Sequence, residues 1–201
     1  MFQYLDPQFL ITTLGFVGIL AIVFAESGLF FGFFLPGDSL LFTAGLFASQ
    51  GYFDITWLVS GIALAAILGD SVGYTFGRRI GPTLFSREDS FFFHKKHVER
   101  ARLFYEKYGV KTIILARFVP IIRTFAPIVA GIAGMRYGIF ITYNIIGGIG
   151  WTLILTLAGF FLGNAFPDIK KYLDLIIVTI IFISILPIVF EWIKERKKDH
   201  I

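Results

Sequence analysis

Residues 26-ESGLFFGFFLPGDSLLFTAGLFASQ-50 are apolar enough for a bilayer, yet Pro36 and Gly37 interrupt them near the centre and Asp38 follows directly. Proline has no N–H to donate and clashes with the turn before it, while glycine lets the chain reverse. At membrane depth a broken helix is tolerated only where protein or a wet cavity surrounds it. The simplest account is a helical hairpin that dips into the membrane and returns. A second stretch, 112-TIILARFVPIIRTFAPIVAGIAG-134, has the same character, with Pro120 and Pro127 inside apolar arms and Arg117 and Arg123 on either side of the first proline. As one helix or as two, it cannot sit in bare lipid.

Outward from these stretches, the chain is built for a membrane. Of 201 residues 56% are hydrophobic and 16% charged, against roughly 45–50% and 25% in an ordinary globular domain. The mean hydropathy is +0.78. Nineteen uncharged residues separate Asp6 from Glu26, fifteen separate Asp54 from Asp70, thirty-one Arg136 from Asp168 and sixteen Asp174 from Glu191. About 20 apolar residues are needed to cross roughly 30 Å of hydrocarbon, and several of these runs qualify once their interfacial ends are added. The composition excludes a disordered chain. With no cysteine there is no disulfide framework, and the net charge of +4 has too little polar surface around it for a nucleic-acid partner.

The basic residues set the orientation. Five acids precede Arg78 but no Lys or Arg does; basic residues then crowd into 78–111 and the tail 191-EWIKERKKDHI-201. Lys and Arg gather on the cytoplasmic side, so both regions belong inside and the short loop 164–172 outside. Residues 55–77 then run inward, 137–162 outward and 173–192 inward again, ending near Trp192. Within the 78–111 linker, 91-FFFHKKHVERARLFYEKYG-109 mixes apolar and charged residues in the manner of an amphipathic helix on the inner surface. The N-terminal apolar run has neither a basic flank nor a clear cleavage site and reads as retained structure. It either crosses fully or forms the first arm of the hairpin.

The expected fold is an all-α polytopic membrane protein with one membrane domain, 1–192, and a basic tail, 193–201. Its first repeat covers about 10–77 with the hairpin 26–50, and its second about 112–162 with the hairpin 112–134. Phe34-Leu-Pro36 matches Phe118-Val-Pro120, and Ala44-Gly45 matches Ala130-Gly131 with a two-residue difference in length. Each is followed by a span, and the spans run in opposite directions. That is the signature of an inverted repeat, which in transporters places a site near the midplane between discontinuous helices. On 55–77, Gly61, Ala65, Gly69, Gly73 and Gly77 make a bare stripe suited to close helix packing. Asp70 lies beside it, about two helical turns from Arg78, where it can pair with a basic residue. Asn144 and Trp151 occupy a comparable place on the other span.

Glu26, Asp38, Arg117 and Arg123 need an explanation. Each charge at the centre of a membrane helix costs about 2.5–3.5 kcal/mol, so four unpaired would cost on the order of 10–14 kcal/mol. They must be paired, hydrated or partly protonated. A purely structural pair is one reading, but an apolar replacement often serves stability as well. Two acids and two arginines in matching segments point instead to a polar site. Arginine's planar fork suits phosphate, a poorly solvated carboxylate can hold or release a proton, and half-helix N-termini favour anions. The 25 phenylalanines suit a substrate with a long hydrocarbon tail. His94, His97 and Glu99 are a weak metal set in a lysine-rich surface, and neither Ser39 nor Ser71 has a histidine nearby, so no metal, cofactor or enzymatic activity is expected.

The chain resembles the DedA family of bacterial inner-membrane proteins, relatives of the SNARE-associated or VTT domain proteins, over about residues 10–190. The resemblance rests on Glu26 with 32-GFFLPGDSLLFTAG-45, on 69-GDSVGYTFGRRIG-81, on 117-RFVPIIRTFAPIVAGIAGMRYGIF-140, and on Asn144, Gly148 and Trp151. It implies a multi-pass protein of the bacterial cytoplasmic membrane with a cytoplasmic C-terminus. It also implies required roles for Glu26 and Asp38 in proton coupling and for Arg117 and Arg123 at the substrate phosphate, supported by Pro36, Gly37, Asp70, Arg78, Pro120, Asn144 and Trp151. Asp38 stands where many members have Glu. The implied activity is proton-motive-force-dependent movement of undecaprenyl phosphate or a related anionic phospholipid; a broad phospholipid scramblase and a non-transporting assembly factor are the alternatives. Membrane lipids and protons are the expected partners. The oligomeric state is left open, a homodimer included.

Overall fold

The computed structural model describes residues 7–29, 35–86, 113–114 and 117–166. The amphipathic stretch 91–109, the final span 173–192, the tail and the His94–His97–Glu99 set lie outside the described residues. Five helices are described: α1 (Pro7–Gly28), α2 (Gly37–Ser49), α3 (Ile55–Ser86), α4 (Pro120–Ile132) and α5 (Tyr137–Ala165).

Local chemistry sets their ends. In α1 the backbone departs from helix at Gly15, φ 62°, a region glycine enters without a Cβ clash. Gly51, φ 84°, stops the chain after α2, and the Asp54 carboxylate then accepts from the N–H groups of Thr56 and Trp57 at 2.9 and 3.0 Å, capping α3. Pro120 opens α4 at a position where its missing N–H costs nothing. A left-handed Gly134, φ 71°, closes α4, with Gly134 N–H bonded to the Gly131 carbonyl and Met135 N–H to that of Ala130.

Two boundaries differ from the sequence expectation, and the part played by Pro127, which the sequence left open, is fixed. The stretch 26–50 does not contain both arms of a hairpin: Glu26 belongs to α1, which begins well before it, because Ala21–Glu26 holds no helix breaker. In the second stretch Pro127 lies inside α4 without ending it, although it gives no N–H to the Arg123 carbonyl. Arg78 and Arg79 continue α3 to Ser86 instead of opening the linker, as good helix formers can.

Ile55–Ile80 (26 residues) and Tyr137–Ala165 (29 residues) are long and apolar enough to cross a membrane; at 1.5 Å per residue they measure about 39 and 43 Å. Leu64, Leu68, Val72 and Phe76 form an exposed stripe on α3, and Ile146, Ile149, Leu153 and Phe161 are exposed on α5. By contrast Gly15–Gly28 and the 13-residue α2 reach only about 20 Å each.

Packing is crossed: α2 lies along α5, α4 along α3, and α1 along α3. Glycines set the closest approaches. A Cβ on Gly45 would strike the Thr156 carbonyl and one on Gly159 that of Phe42; a Cβ on Gly131 would strike the Tyr74 carbonyl and one on Gly77 that of Ile128. The glycine stripe of α3 is thereby divided, Gly61 and Gly69 receiving α1 and Gly77 receiving α4. Ile19 and Val23 of α1, Leu40, Leu41 and Phe47 of α2, and Leu58 and Ile62 of α3 form the main buried cluster, which Trp151 of α5 joins. Tyr74, Ala130 and Phe140 form another.

Candidate functional site

Every described helix, together with the turn at Arg117, brings a polar side chain to one region. From α4, Arg123 donates through Nη1 to Asp38 and through Nη2 to Glu26, joining the start of α2 to the end of α1. The Asp38 carboxylate also accepts from the Trp151 indole at 2.8 Å. Gly37 is required beside it, since a Cβ there would overlap the Glu26 carboxyl group. Asp38 stands in the first turn of α2, where the helix N-terminus favours negative charge.

A second ion pair also lies beside Trp151. Arg117 Nη1 donates to Asp70 and, at 3.0 Å, to Asn144 Oδ1; Asn144 in turn donates to the Ile67 carbonyl at 3.1 Å. The two guanidinium carbons lie 5.6 Å (Arg117) and 4.8 Å (Arg123) from the centre of the Trp151 ring, within cation–π range. One indole thus links both pairs. Glu26 (1% exposed), Asp70 (3%), Arg117 (5%) and Asn144 (0%) are almost completely buried, while the Asp38 side chain is 24% exposed. At such depth the paired, charge-assisted bonds offset a desolvation cost that no single member could bear alone.

Two features distinguish this cluster from a closed structural network. Among the described residues, Glu26 Oε2 and Arg117 Nε and Nη2 are buried without a hydrogen-bond partner. Nε and Nη2 form one edge of the guanidinium, the pair of parallel donors that an oxyanion accepts in bidentate fashion. Gly147 and Gly148 lie against the Arg117 side chain, so no side chain from that part of α5 crowds it. Among the described residues the charges also do not balance: Glu26, Asp38 and Asp70 outnumber Arg117 and Arg123 by one.

Glu26, Asp38, Arg117, Arg123, Asn144 and Trp151 are therefore together, and Pro36, Gly37 and Pro120 belong to the segments that deliver them. Arg78 is not part of the cluster. It is exposed and donates to the Tyr74 hydroxyl at 3.0 Å, which corrects its expected pairing with Asp70; the partner of Asp70 is Arg117. Sequence reasoning missed that partnership, although it singled out Gly148 with Asn144 and Trp151. The available signal was the spacing of Asn144, Gly148 and Trp151, which places them on one face of α5.

The VTT domain family matches residues 35–161, the part of the chain that holds α2 to α5 and both arginines. The chain is 49% identical to protein DedA of Escherichia coli over 178 residues, 88% of this chain and 81% of that protein. The chain belongs to the DedA family. An uncharacterized membrane protein of Mycobacterium tuberculosis is 52% identical over 85% of this chain and 75% of its own length. The inner membrane protein YqjA of Escherichia coli is 32% identical over 94% and 85%. No solved structure matches the chain. Membership makes this a membrane protein of the DedA family, so the exposed apolar stripes of α3 and α5 face lipid or other membrane-embedded surfaces.

Proposed function

We propose that this chain is a proton-coupled carrier of a lipid-linked phosphate, undecaprenyl phosphate or a related anionic lipid, in the bacterial cytoplasmic membrane. One observation carries the reading: among the described residues, three carboxylates share a largely buried cluster with two guanidinium groups, while one edge of Arg117 has no partner. A phosphate arriving at that edge competes with the carboxylates for the arginines. A displaced carboxylate left charged and unpaired in a dry site is costly, so it takes up a proton. The lipid and the proton then travel as one exchange, in which no covalent bond of the lipid is made or broken.

The architecture supports alternating exposure. Gly15–Gly28 and α2 are too short to cross the hydrocarbon and read as arms of a re-entrant hairpin, with α4 as an arm of its counterpart. The glycine contacts support an inverted repeat. Phe42 and Gly45 correspond to Ile128 and Gly131 at one constant offset, and Thr156, Gly159 and Phe160 correspond to Tyr74, Gly77 and Arg78 at another. Under that correspondence Gly45 meets Thr156 and Phe160 as Gly131 meets Tyr74 and Arg78, and Gly159 meets Phe42 as Gly77 meets Ile128. A site between two such halves lies near the midplane. The basic stretch from Arg78 to Lys111 and the C-terminus are assigned to the cytoplasm in this reading.

The test uses purified protein in liposomes that carry a fluorescent polyprenyl phosphate, with accessibility in each leaflet followed with and without a pH gradient. Gradient-dependent relocation of an unaltered lipid is expected. Relocation of ordinary phospholipids at the same rate without a gradient would mean a scramblase, and no relocation at all would remove the transport reading.

A further inference from the structure

The two arginines of the cluster are not equivalent. Among the described residues, Arg117 pairs with one acid, Asp70, and keeps its Nε–Nη2 edge free, whereas Arg123 is shared by two acids, Asp38 and Glu26. Those two acids are held unequally. The Asp38 carboxylate accepts from Arg123 and from the Trp151 indole, stands in the first turn of α2 and is partly exposed, and each of these favours the ionised form. Glu26 accepts from Arg123 at Oε1, while Oε2 is buried with no partner among the described residues. With Asp70 offset by Arg117 and Asp38 by Arg123, Glu26 is the carboxyl left to carry a proton, and Arg117 has the edge left to take an anion.

Trp151 is common to both. It is buried, both guanidinium carbons lie within cation–π distance of its ring, and its N–H ties that ring to Asp38 at the start of α2. The ring therefore holds two like charges close together, and the indole N–H holds the ring. The sign of their interaction follows from charge. An anion on the free edge of Arg117 neutralises that guanidinium and leaves the carboxylates in greater excess, which a proton on Glu26 relieves. A proton on Glu26 in turn removes the net negative charge that repels an anion. The charged groups of the cluster that bear on Glu26 are Asp38 of α2, Arg123 of α4 and Arg117 in the turn before it; Asp70 of α3 is bonded to Arg117, and α5 contributes the neutral Asn144 and Trp151.

We propose that Trp151 is the positioning residue that couples the two arginines, so that a phosphate on Arg117 and a proton on Glu26 bind cooperatively, one proton for each phosphate, while Asp38 stays ionised as the fixed anchor of Arg123 and the indole. Each ligand then raises the affinity for the other by the same factor. The proton comes from the surrounding water and no bond of the lipid changes. Without the indole N–H the ring is free to turn, the two ion pairs no longer report to each other, and each ligand binds alone. The proposal rests on the proton-coupled reading of the cluster and adds its stoichiometry and the residue that transmits it.

The probe is farnesyl phosphate, a short-chain polyprenyl phosphate, with farnesol as the uncharged control. It is titrated calorimetrically into the full chain in detergent, in buffers of different ionisation enthalpy, which counts the protons taken up on binding. The wild type should take up about one proton per phosphate, and its affinity should fall as the pH rises, by about tenfold over the range in which Glu26 titrates. Glu26→Gln should bind without that uptake, which separates a proton on the carboxyl from one on the phosphate itself. Trp151→Phe should still bind, with proton uptake largely lost and an affinity that pH leaves unchanged; a purely structural residue would weaken binding alike at every pH. In a Trp57→Phe/Trp192→Phe background Trp151 is the one indole left, and its fluorescence should answer both to farnesyl phosphate and to pH, a readout that holds even if Trp151→Phe does not fold. Full uptake in folded Trp151→Phe, undiminished uptake in Glu26→Gln, an indole emission that answers to neither ligand, or no binding by the wild type would overturn the proposal. Coupled binding without relocation of polyprenyl phosphate in liposomes would uphold it and remove only the carrier reading.

Discussion

Replacing Asp70 by Asn leaves Arg117 buried with only the Asn144 oxygen as an established acceptor. Breaking a buried ion pair by removing one partner costs about 3–5 kcal/mol. For a chain of 150–250 residues each kcal/mol lowers the midpoint by about 2–4 °C, so a fall of roughly 6–20 °C is expected. The assay is a double-mutant cycle on thermal unfolding in detergent. Once Asp70 is neutral, Arg117→Gln removes a charge that no longer has a counter-ion. The double variant should therefore be much less damaged than the sum of the singles, with a coupling near 3 kcal/mol, the upper end for contacting residues. Asp70→Asn combined with Arg78→Gln should be additive, because Arg78 is exposed and bonded to Tyr74. Additivity with Arg117, or coupling with Arg78, would refute the assignment of partners and the two-pair cluster built on it.

Other consequences follow from the same geometry. Arg123→Lys keeps the charge but cannot supply the planar fork that reaches Asp38 and Glu26 together, so gradient-driven lipid relocation should fall by about tenfold or more, a loss worth about one charged hydrogen bond. Trp151→Phe keeps a ring but removes the donor to Asp38; about 1.5–3 kcal/mol of stability should be lost, read as a lower midpoint. Gly45→Ala and Gly131→Ala should each destabilise by about 1–3 kcal/mol through overpacking against a backbone carbonyl. Gly138→Ala and Gly150→Ala, with open space around them, should be neutral or gain up to about 1 kcal/mol from helix propensity. Glu26→Gln balances the formal charge of the cluster, so the remaining lipid relocation should become insensitive to the pH gradient; undiminished gradient dependence in a folded Glu26→Gln protein would remove Glu26 from the coupling.

The all-helical class and the two long spans were legible because they depend on local quantities: charge-free length and the position of the first basic residue. The meeting of Glu26, Asp38, Arg117 and Arg123 was legible for a different reason. The cost of isolated charge in hydrocarbon leaves few arrangements other than mutual pairing. Which acid meets which arginine was not, since Asp70 and Arg78 are close in sequence whereas Asp70 and Arg117 are brought together by the seating of α4 on α3. The sequence left open whether Pro127 ends a helix. Pro127 is carried inside α4 by packing on both sides, with Ala126 and Ile128 buried.

The crossed seating of the helices also bears on biogenesis. Helix α2 leaves the ribosome long before α5, so the face around Gly45 waits without its permanent neighbour until Gly159 is synthesised, just as Gly77 waits for Ile128. Contacts so distant along the chain form late and slowly, and during that interval the Glu26 and Asp38 carboxylates have yet to meet the arginine that completes them. Insertion of the first half therefore yields a provisional arrangement that only the second half can finish, and a truncated nascent chain would present to quality-control proteases the acidic, glycine-lined surface that the complete protein conceals.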